Sequence, residues 1–102
     1  YAIMSGNEVA GAVGLRLNWL RGPYIQFLGI LPPYQKRKLG SALLAWLAHE
    51  ARRHGESNIW VLASTFNFDA LRFYEANGFV RTGEIADLVA PDTAEVLLRR
   101  RL

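Results

Sequence analysis

Leu28-Gly-Ile-Leu-Pro-Pro-Tyr-Gln-Lys-Arg-Lys-Leu-Gly-Ser-Ala-Leu-Leu44 joins a strand pattern to a helix pattern through a basic turn. Upstream, Tyr24 to Leu31 is nearly all apolar, which predicts a strand covered on both faces. Pro32-Pro33 ends it, because proline has no N–H to give the ladder. Downstream, from Gly40 or Ser41 to His54, residues Leu43, Leu44, Leu47 and Ala51 recur at helical spacing, with Trp46 beside the stripe. Gly55 suits the left-handed residue after a helix, and Arg52, Arg53 and His54 suit its negative end. The first N–H groups of a helix lack partners and carry partial positive charge, and Lys36, Arg37 and Lys38 add cations at the same place. Gly40, having no Cβ, permits close approach. This combination makes either a phosphate cradle or a plain helix start with solvated lysines. Neither a P-loop string nor a three-glycine dinucleotide fingerprint is present.

Working outward, Tyr1 to Ser5 is a short apolar run and Gly6-Asn7-Glu8 a hairpin turn. Val9 to Asn18 reads as the returning strand, with Val9, Gly11, Val13, Leu15 and Leu17 on one face. Gly11 and Gly14 inside it suggest a bulge or close packing. Trp19 to Pro23 is a loop. Asn58 to Ser64 predicts a strand buried on both sides. Asn67 is placed to cap a helix from Phe68 to Asn77, with Gly78 ending it. Phe79 to Gly83 and Ala94 to Leu102 are the last strands. The order is β-β-β-α-β-α-β-β, with no repeat or interdomain linker.

The chain has 102 residues, enough for one domain with a real core, spanning 1–102. No run approaches the roughly 18 apolar residues of a membrane span, so no membrane partner is expected. Cysteine is absent, which excludes disulfide scaffolds, thiolate metal sites and cysteine nucleophiles, and fits a cytoplasmic location. The net charge of +3 suits an anionic small ligand. No stacking pattern or helix-turn-helix signature accompanies it, so no nucleic-acid partner is expected. His49 and His54 lie about 140° apart around a helix and cannot share a metal, and none is expected. The three tryptophans read as core or interface anchors, with Trp19 the most exposed.

A second constellation is Asn67-x-x-Ala70-x-x-Phe73-Tyr74-x-x-x-Gly78-Phe79. Ala70, Phe73 and Tyr74 fall close on one helical face. Tyr74 is then either a proton donor facing a site between strands or an ordinary packing residue.

Taken together, in order and spacing, the two stretches resemble the GNAT superfamily of N-acetyltransferases over roughly Ala2 to Leu102. The first resembles the family's pyrophosphate motif, Gln/Arg-x-x-Gly-x-Gly/Ala. Anchored on Pro32 and Tyr34, it becomes Gln35-x-x-Lys38-x-Gly40, with lysine at the first glycine. Shifted by two, it becomes Arg37-x-x-Gly40-x-Ala42. The family's Pro-x-Tyr favours the first register.

The resemblance implies an α/β (α+β) fold with a mixed, largely antiparallel sheet and helices packed on it. It implies acetyl-CoA as co-substrate and direct attack by a primary amine, carried by a small molecule or a protein. Leu28 to Ile30 would splay from the 59–63 strand, with pantetheine bonding to Leu28 and Ile30 and Leu31 at the mouth. Gln35, Lys36, Arg37, Lys38, Gly40 and Ser41 would hold the pyrophosphate. Asn67 and Phe73 would contact the arm, and Tyr74 would protonate the thiolate. Gln26 falls where many relatives carry a glutamate base; Glu84 and Asp87 are possible substitutes. Family members usually begin with a strand and two helices, whereas this chain starts at their second strand. The edge so exposed implies a homodimer. The alternative function is a CoA-binding module without catalysis.

Overall fold

The computed structural model describes residues 1–35 and 38–102. Gly6, at φ +62°, and Asn7 turn the chain between β1 (Ala2–Ser5) and β2 (Glu8–Arg16). There follow β3 (Tyr24–Ile30), a 3-10 turn at Pro32–Tyr34, α1 (Leu39–Arg53) and β4 (Asn58–Ser64). The chain finishes with α2 (Phe68–Ala76), β5 (Val80–Ala86) and β6 (Ala94–Arg101). The order of elements is the expected one.

The six strands form one sheet in the order β1-β2-β3-β4-β6-β5. Among the described residues, β3 and β4 pair in parallel and the other four pairs are antiparallel. On one face Ile59, Val61 and Ala63 of β4 and Val96 and Leu98 of β6 are buried under Leu44 and Leu47 of α1 and Leu71 of α2. This is the core. On the other face Trp60, Leu62 and Ser64 stand opposite Arg99, Leu97 and Glu95, and no described helix covers them.

Four expectations need correction. β3 is covered on one face only: Ile25 is buried, but Gln26 and Phe27 are exposed, because both helices lie on the same side. For β4 the second face is half-buried rather than buried. In β2, Val9 is exposed and Ala10 is buried, because the pairing with β1 slips between Ile3 and Met4 and leaves Ala10 as the extra residue. Trp46, at 44% exposure, is more open than Trp19, since the 17–22 loop packs Trp19 against the Tyr24 and Trp60 rings. The glycines behave as anticipated. The β2–β3 register shifts between Gly14 and Leu15, and a Cβ on Gly11 would meet the Gly29 carbonyl oxygen at 2.1 Å.

Candidate active site

The parallel ladder between β3 and β4 lasts two residue pairs, Tyr24 with Trp60 and Ile25 with Val61. Pro32-Pro33 and the turn then carry the end of β3 away. Beyond Ile25 the two strands are unpaired, and the sheet opens. A cavity of about 800 Å³ lies at this opening, bounded by β3, the turn, the start of α1 and one side of α2. That volume is within the usual range for a small-molecule site.

Leu28 and Ile30 line it from β3; Gln35, Lys38, Gly40 and Ser41 line it from the turn and helix start; Asn67, Phe73 and Tyr74 line it from α2. The structure thus brings together residues from both sequence stretches. Leu31 is not part of the lining. Lys36 and Arg37 lie outside the described residues. Tyr34, which served in the sequence only to anchor the motif register, also lines the cavity, as do Leu39 and Asp69, which sequence reasoning did not single out. Tyr34 donates to the Glu8 carboxylate, which ties the turn to β2. The Gln35 side chain donates from Nε2 to the Ile30 carbonyl at 3.0 Å, tying the turn to the strand it leaves.

Lys38 is the residue before α1 and adopts the left-handed conformation, φ +57° and ψ +25°. A residue with a Cβ is disfavoured there by about 1–2 kcal/mol. Glycine would sit there without that penalty, and the Gln35-x-x-Lys38-x-Gly40 register puts the motif's first glycine at this position. The chain therefore has a lysine where the backbone conformation favours glycine. The N–H groups of Leu39, Gly40 and Ser41 begin the helix without partners inside it, and these three residues line the cavity. A Cβ on Gly40 would come within 2.8 Å of the Phe73 ring. The space that the missing side chain leaves is used by Phe73, so Gly40 lets α2 close against α1.

Asn67 caps α2, its Oδ1 accepting from the Ala70 N–H at 3.2 Å. That engages the oxygen and leaves Nδ2 as the group for a ligand. Tyr74 is buried between the Phe73 and Phe79 rings, at centroid distances of 5.2 and 5.4 Å. Burial, followed by the neighbouring Tyr24 phenol, pushes its pKa up to about 12. It remains a donor at every physiological pH.

Neither Gln26, Glu84 nor Asp87 lines the cavity. Gln26 is exposed on β3, Glu84 is exposed on the edge strand β5, and the Asp87 carboxylate accepts from the Asp92 N–H in the following loop. The acid that sequence reasoning missed is Glu95, on β6 and 8% exposed. Its Oε1 accepts from the Ser64 hydroxyl at 3.0 Å. Its Oε2 is buried and has no partner among the described residues. The signal available in the sequence was one acid inside the apolar stretch Ala94-Glu-Val-Leu-Leu98. Burial and then the charge of Glu95 raise the pKa of Tyr24, as Tyr24 in turn contributes to that of Tyr74. Among the described residues, no group of three His, Cys, Asp or Glu side chains is arranged to hold a metal, and no helix is long and apolar enough to cross a membrane.

The sequence model of the acetyltransferase (GNAT) family matches residues 1–79. The chain is 35% identical over 83 residues to the aminoalkylphosphonate N-acetyltransferase of Salmonella typhimurium, covering 74% of this chain and 53% of that protein. It thus spans about half the length of that relative. Among solved structures, a provisionally assigned streptothricin acetyltransferase of Bacillus anthracis, in complex with acetyl coenzyme A, superposes with a TM-score of 0.88 at 22% identity. That match covers 97% of this chain and 59% of the other. A Bacillus subtilis acetyltransferase in complex with CoA gives 0.84 at 19% identity, over 97% of this chain and 73% of the other. At these identities the likeness shows the fold.

Proposed function

The chain belongs to the GNAT acetyltransferase family, and from that premise we propose that residues 1–102 form one acetyl-CoA-binding domain that transfers acetyl to a primary amine. One observation carries this reading: β3 leaves β4 after Ile25, and the cavity beside the opening reaches from the start of α1 to Tyr74. The donor set fits the co-substrate. Unpaired N–H groups of α1, with Lys36, Arg37 and Lys38, match a pyrophosphate. The freed edge of β3 at Leu28 and Ile30 matches the amides of pantetheine, and the Asn67 Nδ2 and the Phe73 ring flank the arm.

The acceptor nitrogen attacks the thioester carbonyl carbon, the C–S bond breaks and the nitrogen gives up a proton. Tyr74 donates to the departing sulfur. A phenol near 12 holds its proton more tightly than a thiol of ordinary pKa, about 8.5. Transfer to sulfur is therefore favourable only when the proton shed by the acetylated nitrogen replaces the one Tyr74 gives. The relative from Salmonella acts, by its name, on aminoalkylphosphonates, and a small amine of that kind is a suitable first acceptor. The domain works in the cytoplasm and pairs with a second copy along a sheet edge. β5 invites such pairing, with every residue exposed and Val80 and Ile85 outward.

The test is release of CoA thiol from acetyl-CoA in the presence of 2-aminoethylphosphonate, spermidine and lysine. Amine-dependent release with a matching acetylated product is expected. Binding of acetyl-CoA without release to any amine would leave a cofactor-binding module. Light scattering tests the pairing, and a monodisperse monomer at high concentration would contradict it.

A further inference from the structure

Glu95 is the buried charge that the cofactor side does not use. It belongs to the sheet face opposite the helices, because it stands opposite Ser64 in the β4–β6 ladder, while their neighbours Ala63 and Val96 point into the core. The Ser64 hydroxyl fixes one carboxylate oxygen, and the other is buried without a donor among the described residues. Buried carboxylate oxygens are ordinarily hydrogen-bonded, so this one has room for a donor from outside the described side chains. Ser64 ends β4, and β4 beyond Val61 borders the opening in the sheet. The carboxylate thus stands one strand from the gap, on the side away from α1 and α2.

We propose that Glu95 binds the ammonium group of an amine acceptor that enters from the helix-free face of the sheet, and that where this is the reacting nitrogen its extra proton leaves to water before the free amine attacks. This rests on the acetyl-transfer reading above. The neighbouring chemistry selects an organic cation. Among the described residues, Glu95 belongs to no group of three His, Cys, Asp or Glu side chains that could hold a metal. The same face presents the rings of Tyr24, Trp19 and Trp60, at centroid distances of 5.1 and 5.7 Å from one another through Trp19. Aromatic faces favour ammonium ions. The cation already there, Arg99, is engaged by the Asn58 Oδ1 at 2.6 Å and lies over Trp60. The influence of Glu95 on Tyr24, and of Tyr24 on Tyr74, runs in the same direction, from this face to the donor at the cavity.

The experiment is steady-state kinetics with spermidine and 2-aminoethylphosphonate, alongside calorimetric binding of acetyl-CoA. Glu95→Gln keeps the Ser64 bond and removes the charge. It is expected to raise KM for both amines about 10- to 100-fold, the scale of one charged hydrogen bond, while acetyl-CoA affinity stays within about twofold. Hydroxylamine, a neutral nucleophile at pH 7.5, is expected to be used equally well by both proteins. Unchanged amine KM in a folded Glu95→Gln protein would overturn the proposal. Should that variant not fold, Ser64→Ala, which frees the carboxylate, replaces it; a shift in amine KM supports the proposal and no shift overturns it. Acetyl-CoA binding with no transfer to either amine would overturn the Glu95 assignment and leave the cofactor site standing. Failure of acetyl-CoA to bind would bring down both.

Discussion

Along β4, Ile59, Val61 and Ala63 are buried beneath the two helices, whereas Trp60, Leu62 and Ser64 point the other way and are half-buried. The same alternation divides β6, with Val96 and Leu98 inward and Glu95, Leu97 and Arg99 outward. The helix side carries the apolar core, and at the opening the helix start and Tyr74 line the cavity. The other side carries aromatic rings and a buried carboxylate. A period of two therefore puts the side chains that face α1 and α2 on one side of the sheet and the Glu95 carboxylate on the other. The unpaired end of β3 and β4 is where the two meet.

The sharpest way to break this division is at its junction. Tyr74→Phe is expected to cut turnover by about 10²- to 10⁴-fold, the range for losing a positioned proton donor. Acetyl-CoA affinity should stay within about twofold, because the phenyl ring still packs between Phe73 and Phe79. Equal loss of binding and turnover would make Tyr74 a packing residue only.

Stability separates the two faces next. Leu44 is fully buried in the core, and Leu44→Ala should cost about 2–5 kcal/mol in urea unfolding. Phe27, 58% exposed on the open face, should change stability by less than about 0.5 kcal/mol when replaced by alanine. Similar losses at both positions would show that the open face is packed as tightly as the covered one.

Proton linkage gives a contrast of similar size. The folded pKa of Tyr74, about 12, lies above the ordinary value of 10.0. The folded state therefore keeps the proton that the unfolded chain releases. The associated stability is fully present below pH 10 and is lost as pH rises through 12. From that two-unit shift, the wild-type chain should lose about 3 kcal/mol more than Tyr74→Phe across this window. Parallel pH curves for the two proteins would contradict the burial of the phenol.

The smallest effect concerns the cofactor side. Lys38→Gly relieves a left-handed lysine but frees the unfolded chain, for a net gain of roughly 0.5 kcal/mol. A clear loss of stability in thermal unfolding would contradict the positive φ assigned to Lys38.

The features legible in the sequence are those that a few neighbouring residues decide. Gly6 turns the first hairpin, Gly55 and Gly78 have positive φ at the helix ends, and Asn67 caps α2 with its own side chain. Pro32-Pro33 stops β3. These local signals carried the element order, whereas the meeting of both motif stretches at one site was an expectation from the family resemblance. What depends on partners distant in sequence was not legible. The slip that buries Ala10 and exposes Val9 is decided by β1, and the one-sided covering of β3 by where both helices pack. Trp19 is sheltered by Trp60, forty-one residues along. The setting of Glu95 arises only when β6 lies beside β4 and Ser64 holds one oxygen while the other has no donor among the described residues.

Calorimetric titration of the chain with acetyl-CoA, compared with a Leu28→Arg variant that places a charged side chain in the opening, addresses the cofactor side most directly. One-to-one binding to the wild type in the micromolar range, lost in the variant, is the expected result. Equal binding by both proteins, or none by a well-folded wild type, would contradict the opening beside β3 as the acetyl-CoA site.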